Sequence, residues 1–115
     1  MDFQTPFRPS GPLIAVLGST TPPSGTLIAQ TGDWCALIYN RSATQDGYLA
    51  YGPTSSNVAG AVIPVVGVPS APGTAQMVQL PRGSLQTFTF SGPTFFGGLT
   101  AAGNITIDIT PGTGS

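Results

Sequence analysis

The chain has 115 residues, among them no His, no Lys and no Glu; its charged side chains are Asp2, Arg8, Asp33, Arg41, Asp46, Arg82 and Asp108, for a net charge of −1. Acid–base catalysis, phosphate capture and transition-metal binding draw most heavily on the missing residue types, and three isolated arginines make no cationic track for nucleic acid. Sixteen Gly and twelve Pro would suit a disordered chain, but 40% hydrophobic residues at near-neutral charge do not.

Residues 1–12 read as an extended arm, because Pro6, Pro9 and Pro12 each remove a backbone donor. Phe3 and Phe7 have no local apolar partner there, and with Arg8 they are the candidate partner-binding residues. Leu13 to Leu17 is the first expected strand and Thr26 to Gln30 the second, with a Pro22-Pro23 loop between them. Trp34 to Tyr39 alternates, with Cys35, Leu37 and Tyr39 on one face and Trp34, Ala36 and Ile38 on the other. A polar turn, Asn40 to Gly47, leads into Tyr48 to Tyr51, so these two strands are expected to form a hairpin.

Residues 54 to 60 read as a polar loop. Ala61 to Val66 and Met77 to Leu80 are weaker apolar stretches, and Pro64 makes the first an edge strand or a connection. After the Pro81-Arg82-Gly83-Ser84 turn, Gln86 to Phe90 alternates with Phe88 and Phe90 on one face. Phe95 to Thr100 contains Gly97-Gly98, which weakens a strand. It turns at Ala101-Ala102-Gly103 into Asn104 to Thr110, where Ile105, Ile107 and Ile109 point inward and Asp108 points out.

No stretch carries helical periodicity, and seven or eight short strands separated by turns imply an all-β chain. The expected fold is a single β-sandwich of Greek-key or jelly-roll type at 13–115, preceded by the extended N-terminal arm at 1–12. Its core is expected to contain Leu37, Tyr39, Phe88, Phe90, Ile105, Ile107 and Ile109.

The second half carries a pattern of short motifs. Leu49-Ala50-Tyr51-Gly52 precedes a Ser/Ala/Asn-rich loop, and Leu80-Pro81-Arg82-Gly83 precedes a strand with Phe88. Then come Phe95-Phe96, a turn at Ala102-Gly103 and the closing Ile107-Asp108-Ile109-Thr110-Pro111-Gly112. Over residues 25–112 this order resembles small proteins encoded among the structural genes of tailed bacteriophages. The resemblance implies a virion structural protein without an active site, most plausibly a head decoration or cement subunit. Its partners would be the major capsid protein or other virion proteins. It would be a homo-oligomer, a trimer ahead of other states, on the particle surface after synthesis in the host cytoplasm.

The remaining candidates read as structural. Cys35 has no base to activate it and is expected to be a buried apolar residue. The four aspartates are scattered and give no metal-binding run; no cofactor is expected. Asn40-Arg41-Ser42 and Asn104-Ile105-Thr106 match the glycosylation pattern, but the N-terminal residues lack the basic start and apolar centre of a signal peptide, and no run spans a membrane. An alternative function is recognition of carbohydrate or a host surface by a phage fibre or tail module, using Trp34, Tyr48 and Tyr51 as an exposed aromatic platform.

Overall fold

A computed structural model describes residues 7–21, 25–61 and 76–113. The strands are β1 (Arg8–Pro9), β2 (Ile14–Ser19), β3 (Thr26–Ile28), β4 (Asp33–Asn40), β5 (Gly47–Gly52), β6 (Gln76–Leu80), β7 (Leu85–Ser91), β8 (Thr94–Leu99) and β9 (Ile105–Thr113). They make the protein all-β. All belong to one curled sheet, in the order β6-β5-β8-β2-β9-β4-β7, with β1 beside β9 and β3 beside β8. The all-β reading therefore holds at the level of class, while the described ladder is continuous and does not establish a two-sheet sandwich.

Most expected strands lie within two residues of their expected ends, but their neighbours differ. β4 pairs with β7 and β9, and β5 pairs with β6 and β8, so the expected β4–β5 hairpin does not form. The turn at residues 41–46 crosses between the halves of the sheet instead. Likewise β8 and β9 are separated by β2, which pairs with both. Turn residues in a sequence mark where the chain reverses; they do not say which strand from elsewhere will enter the gap. One expected loop contains a helical turn, α1 (Ser55–Ala59), whose Thr54 Oγ1 accepts the Asn57 N–H at 3.2 Å. The expected Ala61–Val66 stretch lies outside the described residues except for Ala61.

The core sits inside the curl. Phe90, Ile105, Ile107 and Ile109 are buried in it as expected, and Phe88 packs against it from a half-buried position. On β4 the faces are reversed: Trp34, Ala36 and Ile38 enter the core, whereas Leu37 and Tyr39 are half-buried on the outside. Alternation fixes which residues share a face but not which face is inward when both are apolar. Trp34, Tyr51, Phe90 and Phe96 form a ring cluster across the curl, with Phe90–Phe96 centroids 5.0 Å apart and Trp34–Phe96 6.1 Å apart. A second cluster of Ala50, Val58, Ala61 and Leu99 packs α1 onto the opposite face of β5 and β8.

Two devices hold the curl. The first is the parallel contact between β2 and β8, where Gly18 faces Gly98 and Ser19 faces Leu99, extended by a 2.8 Å bond from the Thr100 N–H to the Ser19 carbonyl. A Cβ on Gly98 would lie 2.5 Å from the Gly18 Cα. The second device is Asn40, fully buried at the end of β4. Its Nδ2 donates to the carbonyls of Gln45 (3.1 Å) and Leu80 (3.0 Å), and its Oδ1 accepts the Ser42 N–H at 3.0 Å. Its own backbone bonds Gly83 and Ser84, so β4 is tied to the end of β6 and the turn into β7.

Gly98→Ala is expected to lower stability by about 3 kcal/mol, at the upper end for overpacking because the obstructing atoms are backbone. A urea midpoint within error of wild type would refute that close approach. Asn40→Asp replaces two amide donors with an acceptor facing two carbonyls, and burial raises the new carboxyl's pKa in the folded state above its unfolded value. Protonation then favours the folded state, so the variant should melt well below wild type at pH 7 and recover part of the difference as pH falls toward 4. Thermal melts across that range are the check.

Candidate functional site

The described part of the arm does not stand free of the domain. Arg8 and Pro9 pair with Thr113 and Gly112 of β9, and the Ser10 N–H bonds the Pro111 carbonyl at 2.9 Å. Phe7 is half-buried with its ring over Gly112, where an added Cβ would lie 2.6 Å from its Cζ. Phe7, which has no local apolar partner in the arm, thus rests on its own domain, where a glycine on β9 makes room for it. Arg8 is exposed, with no acidic partner among the described residues. Phe3 lies outside the described residues. The arm candidates thus provide one half-buried anchor and one exposed cation, and a broader surface lies elsewhere.

That surface is the outer face of β2, β9, β4 and β7. Pairing places Ala15, Asp108, Tyr39 and Leu85 in one row across four strands. Leu37 stands beside Thr110 and Thr87 in the next row. Three of the four exposed large apolar side chains among the described residues lie on or beside this face: Leu13 (56% exposed), Leu17 (56%) and Leu85 (61%). Between Leu13 and Leu85 runs a shallow groove of about 280 Å3, floored by Leu37, Tyr39 and Thr110.

Asp108 was expected to face solvent, but it is 9% exposed. Arg41 reaches over it as a fork, Nε to Oδ2 at 3.0 Å and Nη2 to Oδ1 at 2.5 Å. The pair cancels the charge in the middle of the face, leaving it locally neutral. A second pair lies at the surface, where Asp46 accepts from both the Nε (3.0 Å) and the backbone N–H (2.9 Å) of Arg82. These bonds, the side-chain one first, hold the Asp46 carboxyl below the ordinary carboxylate range.

The aromatic platform expected from Trp34, Tyr48 and Tyr51 does not form. Trp34 is 2% exposed, with its Nε1 donating to the Gly92 carbonyl at 2.7 Å. Tyr51 joins the same inner cluster, whereas Tyr48 packs on the other face of β5. Cys35 is buried and free, 3.8 Å from Thr89 Oγ1. The first glycosylation-like pattern centres on the buried Asn40, both of whose amide hydrogens are engaged. No group of three metal-ligating side chains occurs among the described residues. The outer leucines were legible as apolar, but only strand pairing places them on one face.

Comparisons with protein-family models, curated proteins and solved structures find no match for this chain.

Carbon-detected titration should find Asp46 titrating below the ordinary value of about 3.9. Because this folded-state pKa is depressed, the pair's contribution is present above the unfolded value and lost as pH falls through the folded one. Arg82→Ala should move the Asp46 pKa only part of the way back, since the backbone N–H at position 82 remains. An unmoved value would show that the side-chain bond does not form in solution.

Proposed function

We propose that this chain is a non-enzymatic structural protein of a bacteriophage virion, a head decoration or cement subunit. In this reading the outer face of β2-β9-β4-β7 docks onto the major capsid protein or another virion protein. The observation that carries the proposal is the concentration of Leu13, Leu17 and Leu85 on one neutral face, with a groove between two of them. Single exposed leucines are ordinary, whereas several on one sheet face mark a surface suited to burial against a partner. The phage-like order of motifs in residues 25–112 supplies the kind of assembly.

Size bears on how such a face would act. Four strands spaced about 4.8 Å, each contributing about six residues at about 3.4 Å, give roughly 400 Å2, half the ~800 Å2 per partner of a standard stable interface. One contact of this area is weak. Repetition on a symmetric particle, or in a homo-oligomer such as a trimer, adds avidity without new contacts. With its central charges internally paired, the face attaches through apolar burial, and salt has little to screen.

Leu13→Asp with Leu85→Asp should reduce binding to undecorated particles at least tenfold, since burying one leucine contributes about 1.5–3 kcal/mol. The melting temperature should change little, because both positions are exposed. Unchanged binding by a folded double variant would place the docking surface elsewhere.

A further inference from the structure

At the end of the sheet opposite Asn40, the curl stays open. A cavity of about 440 Å3 lies between the end of β5, the start of β6 and the turn from β7 into β8. It falls within the roughly 300–1,000 Å3 of small-molecule pockets. Tyr51 and Phe90 meet there edge to face, with centroids 5.3 Å apart. Phe90 is almost fully buried and Tyr51 half-buried, and both line the cavity. Around the rings stand neutral polar groups. Gln76 is exposed, and its amide makes no hydrogen bond to another described residue. Ser91 Oγ donates to Asp33 Oδ1 at 3.0 Å, which leaves its lone pairs to accept.

Among the described residues no charged side chain lines the cavity, and Asp33 reaches it only through its bond from Ser91. An anionic ligand would therefore meet no counter-charge. Pro53 and Pro93 at the rim have no N–H to offer an added strand, which disfavours an extended peptide. A pyranose ring has the complementary chemistry, an apolar C–H face for an aromatic ring and a hydroxyl perimeter for amides and hydroxyls.

We propose that this cavity is a binding site for a neutral saccharide, with Tyr51 as the ring platform and Gln76 and Ser91 as the hydrogen-bonding groups. The site is separate from the outer leucine face, and it differs from a platform built on Trp34 and Tyr48: Trp34 is buried against Phe90 and does not line the cavity, and Tyr48 packs on the other face of β5.

The test is a titration of 15N-labelled full-length protein with maltose, lactose and chitobiose, followed by amide chemical shifts. At least one sugar should shift the amides of Tyr51, Gln76 and Ser91 in a saturable manner. Gln76→Ala should weaken that binding about fivefold, the loss of one hydrogen bond, with an unchanged melting temperature. Sialyllactose should bind no more tightly than lactose. The proposal is overturned if none of the three sugars shifts these amides, if Gln76→Ala binds as wild type does, or if sialyllactose binds more tightly. Preferential binding of a short extended peptide at the same amides would also overturn it. The Leu13→Asp, Leu85→Asp variant should retain saccharide binding, which separates failure of this site from failure of the docking face.

Discussion

Where β2 runs beside β8, the two backbones approach so closely that Gly98 has no space for a Cβ, while a Cβ on Gly18 would strike the Ile105 side chain. This short parallel contact joins β6, β5 and β8 to β2, β9, β4 and β7 in one ladder. Without it the chain would have two antiparallel groups with no ladder hydrogen bonds between them. With it, the sheet curls until Phe96 of β8 meets Trp34 of β4 and Tyr51 of β5 meets Phe90 of β7. The side chain of Ile105 fills the adjoining slot, held between Gly18 and Gly47, both of which lack the atom that would obstruct it. Glycine, which weakens an isolated strand, is here the residue that permits the central junction.

Few charged groups are present, and their placement follows the same economy. Arg41 covers Asp108, and Arg82 holds Asp46 across two loops, so two of the three arginines have a carboxylate partner among the described residues. Such exposed or half-exposed pairs contribute little to stability. Their larger effect is on the character of the surface: the outer sheet face around Asp108 becomes neutral, and its leucines are not interrupted by a free charge. A surface of this kind suits attachment by apolar burial better than attachment by electrostatic steering.

Eight of the nine described strands were legible in the sequence, all but β1, whose residues read as part of an extended arm. Their apolar runs and the Gly and Pro residues that end them are local signals, and the alternation of Ile105, Ile107 and Ile109 determined the inward face of β9 because its other face is polar. The absence of His, Lys and Glu was equally legible and limits the chemistry available to any site. Strand neighbours were not legible, because pairing joins residues as distant as Gly18 and Gly98. Nor was the inward face of β4, since Trp34-Ala36-Ile38 and Cys35-Leu37-Tyr39 are both apolar and only packing against β7 and β9 distinguishes them. The tertiary structure alone therefore decided that Leu13, Leu37 and Leu85 share an outer face, that Arg41 shields Asp108, and that Phe7 rests on Gly112. Each depends on contacts between segments far apart in the chain, for which the local order of residues carries no signal.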